Sequence, residues 1–330
     1  MSHVLIRGDG VSARCCSHLL TRAGLTVTVE STGRARLPAI MLGEPAQKLI
    51  ADIFGLHSPF EGLPRVERRI AAWGANADPA TVDHSAVVIS EEELLDLLGP
   101  LPVSSGSGPA QWTIYAARPL PAEASERSFG SRFASALPVE LKDDAEAEAC
   151  WMESLAGGWL FLIAVAPRHG WLLATGDRPE ELLRCGRVVS ARIAAVASPG
   201  ARFPASPRMA APIAGNRWLA CGTAAMAFDP ICGDGTAHAV REGILASAVI
   251  KAALRGGDVA RLMAHYNNRL TAGFLRHLVH CVEYYAAVRG EWWEKETAAA
   301  KEGIEWCSRR MGGDPKFHYR LNGFELEAID

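Results

Sequence analysis

The hydrophobic pattern at the start of the chain predicts a strand, a helix and a second strand. A short β run at residues 4–7, apolar up to Ile6, reaches a glycine-rich turn, and residues 12–23 carry apolar side chains at helical spacing. Gly24 ends this helix, and residues 26–30 alternate threonine and valine before Glu30. The order of these elements predicts a βαβ unit of about 30 residues.

The middle of the chain alternates short apolar runs with turn residues. Four strands are predicted, and their spacing is typical of an antiparallel sheet: residues 133–141, 148–154, 158–166 and 171–175. Residues 177–196 then predict a helix, and residues 199–212 form a proline-rich return.

Helices dominate the last third of the chain. A strand at residues 216–221 precedes three predicted helices and an irregular end; the helices span residues 235–255, 258–288 and 290–310. Shorter elements are expected earlier, namely a helix at 45–54, a strand at 84–90, a helix at 91–98 and a flexible connection at 100–109. The whole pattern predicts an α/β protein with an inserted antiparallel β-sheet and a helical C-terminus.

Composition and charge narrow the class of protein. The 330 residues are 49% hydrophobic and 22% charged, which excludes a disordered chain or a coiled coil. The net charge of −3 argues against nucleic acid as a partner. The sequence predicts no membrane span and no secretory signal, so we expect a cytoplasmic protein.

The eight cysteines are scattered and include no C-x-x-C pair, which favours free, mostly buried thiols. His277 and His280 share a helix, but no carboxylate joins them at metal-binding spacing. We therefore expect no metal site.

The turn after the first strand has the spacing of a dinucleotide-binding motif. Gly8, Gly10 and Ala13 form G-x-G-x-x-A, and Glu30 closes the second strand. The glycines allow a tight turn and let a diphosphate approach a helix N-terminus, while the small third residue permits close packing. An acid at the position of Glu30 accepts hydrogen bonds from an unphosphorylated ribose, as in FAD or NAD.

A second glycine-containing segment lies far along the chain. Within residues 215–250, a predicted strand ends at Cys221-Gly222. Asp229-Pro230 follows, and a long predicted helix begins at Gly233 and Gly235. This segment resembles the second flavin motif of the p-hydroxybenzoate hydroxylase and tryptophan halogenase superfamily. Gly43-Glu44-Pro45-Ala46 is similar to a loop of the halogenase branch of that superfamily.

The resemblance implies an FAD cofactor and a discontinuous Rossmann-type FAD-binding domain. It assigns residues 1–75, 90–125 and 205–270 to that domain, residues 76–89 and 126–204 to an inserted substrate-binding β-sheet domain, and residues 271–330 to a helical segment. The implied cofactor-binding residues are Gly8, Gly10, Ala13, Glu30, Arg36, Gly43, Glu44, Thr223, Asp229, Pro230, Gly233, Gly235 and Thr236.

Departures from the family pattern bear on the reaction. Thr223 stands where the family has the aspartate that holds the ribityl chain, although a hydroxyl both donates and accepts hydrogen bonds. The lysine that a halogenase needs is absent from the matching position, and Lys48 lies outside it. These departures disfavour halogenation.

What the resemblance leaves is oxygen transfer to an aromatic group. The candidate catalytic residues are His84, Asp229 and His238. With one dinucleotide motif, the electrons must come from an external reductant, either NAD(P)H or reduced flavin. In general appearance the chain is most similar to flavoproteins that mature cysteine tryptophylquinone, so a tryptophan-containing protein is the expected substrate.

Two other hypotheses stay open. One is a tailoring enzyme that hydroxylates, or halogenates, an aromatic small molecule. The other is a flavin-fold protein that binds a partner without catalysis.

Overall fold

The computed structural model describes residues 2–74, 78–101, 109–143, 146–197, 200–312 and 317–329. The helices in these ranges are α1 (Val11–Arg22), α2 (Glu44–Phe54), α3 (Glu91–Leu97), α4 (Pro179–Cys185), α5 (Gly235–Leu254), α6 (Val259–Ala286) and α7 (Glu291–Met311). The strands up to residue 141 are β1 (His3–Arg7), β2 (Thr26–Glu30), β3 (Ile40–Gly43), β4 (Arg65–Ala72), β5 (Ala80–Ile89), β6 (Trp112–Tyr115), β7 (Ser125–Ser128) and β8 (Phe133–Leu141). The later strands are β9 (Ala149–Leu155), β10 (Gly158–Ala166), β11 (His169–Gly176), β12 (Ile193–Val196), β13 (Ala201–Pro204), β14 (Arg208–Ala211), β15 (Ala214–Gly215), β16 (Trp218–Ala220), β17 (Met226–Ala227), β18 (Tyr319–Asn322) and β19 (Glu325–Ala328).

A five-stranded sheet has the order β15-β16-β6-β1-β2 and carries the predicted βαβ unit. β1 pairs in parallel with both β2 and β6, and β16 extends the sheet in parallel with β6. The buried faces of these strands share one core with residues of α1, α5 and α6. The parallel sheet therefore brings the two glycine segments to the same edge, because the carboxyl ends of parallel strands lie together.

A nine-stranded sheet contains the predicted antiparallel strands. Its order is β12-β8-β11-β10-β9-β4-β5-β3, and β13 also pairs with β8. β7, β14 and β17 form a separate three-stranded sheet, and β18 pairs with β19. The α/β fold class is confirmed: a mostly antiparallel sheet, in which only β4 and β9 pair in parallel among the described strands, is inserted between the two halves of a Rossmann-type sheet.

The proposed domain division stays a prediction. β3 and β4 belong to the nine-stranded sheet, although the division placed residues 1–75 with the cofactor domain. β4 was missed because its sequence, RVERRIAA, carries more charge than a buried strand usually does. Its charged side chains lie largely on the exposed side, and β5 and β9 pair with its two edges.

Two predicted elements were wrong. Residues 177–196 are not one helix, because α4 ends before Gly186 and residues 193–196 form β12. The buried carboxylate of Glu153 holds this bend by accepting the backbone N–H groups of residues 187–189. The C-terminus is not irregular, because β18 and β19 form a hairpin that turns at Gly323, whose φ is +55°.

Part of the flexible connection at 100–109 lies outside the described residues. Among the residues described, none of the helices is long and apolar enough to cross a membrane. Trp151 and Trp159 are fully buried within hydrophobic cores. The indole N–H of Trp293 donates to the backbone carbonyl of Leu155 at 2.7 Å and so fixes α7 to the sheet.

Candidate cofactor site

The first glycine turn joins β1 to α1 at the carboxyl edge of the parallel sheet. Gly8 has a φ of +125°, and a Cβ there would lie 2.9 Å from the backbone nitrogen of Ala117. Gly10 is the N-cap of α1 and provides no capping side chain, so the helix N-terminus is available to an anion. Ala13 is fully buried. The turn has the shape that the motif predicted.

An acidic side chain inside this turn is held by a predicted cofactor residue. Asp9 is buried, and Arg36 pairs with its carboxylate at 2.8 Å. Burial opposes ionisation of Asp9, but hydrogen bonds from Ser31 and Arg36 outweigh it and lower the pKa of this carboxyl. The charge of Arg36 is thus partly neutralised within the protein.

A second arginine, which the sequence interpretation missed, lies against the same turn. One guanidinium nitrogen of Arg34 is 2.8 Å from the place where a Cβ of Gly10 would be. Arg34 also donates to the buried carboxylate of Glu91, with one of its bonds at 2.9 Å. Two guanidinium groups therefore flank the helix N-terminus, an arrangement that suits a diphosphate. In the sequence, the only indication of this pair of guanidinium groups is the presence of two arginines within residues 34–36.

Glu30 lies opposite Arg7 in the parallel register of β2 and β1. Their side chains pair at 3.0 Å, and both are about half exposed. An exposed ion pair of this kind contributes little stability. A ribose hydroxyl can therefore compete for the carboxylate.

The second glycine segment meets the first at the same sheet edge. β16 leads into a 3₁₀ turn at Gly222–Ala224, and Gly222 has a φ of +56°. A Cβ on Gly222 would collide with the hydroxyl of Ser12 in α1. Farther along α5, a Cβ on Gly243 would lie 2.9 Å from the Cβ of Cys15. Two segments that are distant in sequence thus form one site.

A buried acid supports this junction. The backbone N–H of Gly222 donates to Glu242 at 2.6 Å, and burial raises the pKa of Glu242 to about 8. The thiol sulfurs of Cys16 and Cys221 lie 4.0 Å apart nearby. Glu242 was missed from the sequence, where its one signal is an acid within an otherwise small and apolar helix face.

The N-terminus of α5 is open in front. Gly235 begins the helix, and a Cβ there would meet nothing within 4 Å. Gly233 makes the preceding turn with a φ of +64°, and Thr236 is half-buried in the first turn of the helix. Thr223 is exposed, with its hydroxyl 3.5 Å from the carbonyl of Ala116. These residues leave space for a ligand next to a positive helix end.

Asp229 is not free to react. Its carboxylate is fully buried, pairs with Arg132, and accepts hydrogen bonds from the Tyr285 hydroxyl and from the backbone N–H of Ile231. Arg132 reaches Glu296 of α7 at 2.6 Å on its other side. Asp229 therefore fixes the turn that Pro230 opens, and its contacts are those of a positioning residue.

His238 lies on α5 close to that turn. Its ring stacks on Phe228 with 4.0 Å between centroids, and its Nε2 is 3.6 Å from Asp234. Burial lowers the pKa of His238 to about 4 despite the carboxylate of Asp234, so the imidazole is neutral at physiological pH. Its neighbours therefore favour a hydrogen-bonding or packing role over that of a strong base.

His84 lies on β5 in the nine-stranded sheet. Burial, together with the charge of Arg69, lowers its pKa. The adjacent Ser85 donates to Glu44 at 2.6 Å, and Gly43 is the N-cap of α2. The structure thus brings the predicted Gly43-Glu44 loop to the strand of His84. Within the described residues, no hydrogen bond or ion pair joins His84 to Asp229 or His238.

Comparison with known proteins identifies the fold. No family model matches the sequence, and no curated protein matches it significantly. Among solved structures, the flavin-dependent halogenase CmlS is similar with a TM-score of 0.73 and 18% identity, over 92% of this chain and 70% of the other. The peptidyl tryptophan dihydroxylase QhpG gives a TM-score of 0.67 and 17% identity, over 99% and 86%.

HpxO of Klebsiella pneumoniae, solved with FAD and uric acid, gives a TM-score of 0.62 and 14% identity, over 94% of each chain. Each of these similarities covers more than nine-tenths of this chain. The chain therefore shares the fold of CmlS, QhpG and HpxO, which is the fold that the sequence resemblance implied.

Proposed function

We propose that this chain is an FAD-dependent monooxygenase that transfers oxygen to an aromatic, tryptophan-like group. The observation that carries the proposal is the meeting of the two glycine segments, where Gly222 packs against Ser12, Arg34 lies at the N-terminus of α1, and the N-terminus of α5 stays open. The fold shared with QhpG and HpxO supports it. Fold alone does not determine a reaction, so the residues of the site must fit the cofactor.

The residues of the site fit an FAD. The N-terminus of α1 and the guanidinium groups of Arg34 and Arg36 beside it would hold the diphosphate, and Glu30 would accept the ribose hydroxyls. The exposed hydroxyl of Thr223 would take the place of the family aspartate toward the ribityl chain. When bound and reduced, FAD supplies activated oxygen for an electron-rich ring.

The protein's own groups act around that cofactor. The N-terminal end of α5 carries positive potential that would stabilise negative charge on a bound, reduced flavin. Asp229 holds the Pro230 turn, and neutral His238 presents a hydrogen-bonding ring at the same helix end. His84 is the candidate to orient the substrate ring from the nine-stranded sheet.

We infer that the substrate is a tryptophan of a partner polypeptide. QhpG, named a peptidyl tryptophan dihydroxylase, aligns over 99% of this chain, which includes the C-terminal helices. An external reductant, NAD(P)H or reduced flavin, would supply the electrons. The free cysteines suit a reducing compartment such as the cytoplasm.

A second candidate function is hydroxylation of an aromatic metabolite. The shared fold with HpxO, which was solved with FAD and the small aromatic molecule uric acid, supports a small-molecule substrate. Halogenation stays disfavoured, because Lys48 is exposed on α2 and no lysine stands at the matching position.

The test supplies the FAD-loaded protein with NADH or NADPH, or with a flavin reductase, and offers tryptophan-containing peptides and free indoles in parallel. We expect a peptide product heavier by one or two oxygen atoms, absent with Gly10→Val. Oxygenated free indole instead of peptide would select the metabolite hydroxylase, and a bromide-dependent product would select a halogenase. Bound FAD with no oxygenated product from any aromatic substrate would contradict the monooxygenase proposal.

A further inference from the structure

Three side chains with metal-ligating atoms meet beside the Pro230 turn. Cys232 ends that turn, and His277 and Cys281 lie one helical turn apart on α6. The two sulfurs and a ring nitrogen all lie within 4.8 Å of one another. The sequence interpretation considered His277 with His280 instead, but His280 contacts Glu283 on the surface at 3.1 Å.

The spacing of these atoms is close to that of a tetrahedral metal site. The Cys281 sulfur lies 3.4 Å from Nε2 of His277. Ligands of a tetrahedral Zn²⁺ stand about 3.5 Å apart for nitrogen and sulfur, and about 3.8 Å apart for two sulfurs. A contraction of about 1.3 Å or less at the widest pair would therefore complete three corners of a tetrahedron.

We propose that Cys232, His277 and Cys281 form a binding site for Zn²⁺ or a similar thiophilic divalent cation. Two thiolates and one imidazole are a typical zinc donor set, and both thiols would release their protons to solvent on binding. Cys232 is half-buried, which gives the ion a route of entry and lets water occupy the fourth position. His277 and Cys281 are buried, so they are held in place by the packing of α6.

Binding of a metal ion would alter one hydrogen bond of the Asp229-Pro230 turn. Nε2 of His277 accepts the backbone N–H of Asp229 at 2.8 Å, and a metal would take over that lone pair. The loss of one hydrogen bond is small against the formation of two metal–thiolate bonds. The site is therefore linked to the Asp229-Pro230 turn, but its existence does not depend on the proposed oxygen transfer.

The test uses the full chain, cleared of metal with a chelator and kept reduced with a phosphine. Co²⁺ is titrated in while thiolate-to-cobalt charge transfer and d–d absorption are recorded, and Zn²⁺ is then added as a competitor. We expect one Co²⁺ per chain in a tetrahedral thiolate spectrum that Zn²⁺ abolishes. Cys232→Ser and Cys281→Ser should each weaken binding by about 100-fold or more.

Cys185→Ser is the matched control, because Cys185 is an exposed cysteine outside the cluster. Circular dichroism establishes that each variant is folded, and half-buried Cys232 makes Cys232→Ser the safer of the two. A folded, reduced chain with no thiolate–cobalt absorption would overturn the proposal. Absorption that survives in Cys232→Ser, or disappears in Cys185→Ser, would overturn it as well.

Discussion

Gly10 stands where a dinucleotide diphosphate would meet the N-terminus of α1. A side chain there would be directed at Arg34, whose guanidinium nitrogen lies 2.8 Å from the Cβ position. We expect Gly10→Val to weaken FAD binding by roughly 100-fold or more, about 3 kcal/mol, because it displaces the guanidinium and fills the anion site. Quenching of flavin fluorescence measures the affinity.

Gly273→Ala is the control for that substitution. Gly273 lies within α6, and its Cβ would meet only Arg276, at 4.0 Å. This variant should bind FAD as the unchanged chain does. Equal FAD affinity of Gly10→Val and Gly273→Ala would show that the diphosphate lies elsewhere.

Glu242 predicts a pH dependence of stability. Its pKa is raised from 4.5 to about 8 by burial, so the folded state holds a proton that the unfolded chain releases. The stability that this group contributes is complete below about pH 4.5 and is lost as the pH rises through about 8. Between these two pH values, titration of Glu242 lowers the free energy of unfolding by about 1.4 kcal/mol for each pH unit.

Glu242→Gln keeps an acceptor for the N–H of Gly222 but removes the proton equilibrium. Urea unfolding from about pH 5 to about pH 8 should therefore show a flatter dependence for this variant than for the unchanged chain. Parallel curves for the two proteins would contradict the raised pKa.

At the scale of elements, Arg132 joins four parts of the fold. From its position just before β8 it contacts Asp229 in the Pro230 turn, Tyr285 on α6 and Glu296 on α7. Arg132→Leu leaves two carboxylates buried without this partner, which should cost about 3 to 5 kcal/mol of unfolding free energy.

Arg309→Leu is the comparison for that loss. Arg309 pairs with Glu305 at 3.6 Å, and both side chains are about two-thirds exposed, so the cost should stay below about 1 kcal/mol. Chemical denaturation of both variants measures the difference. Similar losses would show that the buried network does not hold these elements together.

Elements with strong local signals were predictable from the sequence. Periodicity and capping residues identified α1, α5 and α6, and alternation identified β8 to β11 within a few residues. β4 and β12 could not be predicted in this way. β4 carries many charges, and β12 follows a bend that is set by Glu153, a residue on β9. The secondary structure of such segments depends on contacts with residues that are remote in the sequence.

Some residues of the candidate site could likewise be predicted from the sequence, and others could not. Spacing predicted the turn at Gly8 and Gly10, and the family resemblance indicated the segment at Gly222; each of these glycines lies where a neighbouring segment approaches too closely for a side chain. Arg34, Glu91 and Glu242 were missed, since their roles arise only when distant segments fold together. For Asp229 the sequence could not distinguish a reactive acid from a buried ion pair, because Arg132 lies nearly a hundred residues away.

At the scale of the whole molecule, the proposed cofactor site combines two segments that lie more than 200 residues apart in the sequence. A ligand that binds only when β1, α1 and α5 are docked must stabilise the entire fold. At an FAD concentration of 100 times Kd, the free energy of unfolding should rise by about 2.7 kcal/mol, with a higher Tm. Differential scanning calorimetry with and without FAD measures the shift, and an unchanged Tm would contradict a site built from both segments.

The most direct test is the absorption spectrum of the purified chain after incubation with FAD and removal of the unbound cofactor. One FAD per chain should remain, with a flavin spectrum that bleaches when reductant is added under anaerobic conditions. The same treatment of Gly10→Val should leave a folded, colourless protein. A colourless unchanged chain that retains no FAD would contradict the proposal that the two glycine segments form a flavin site.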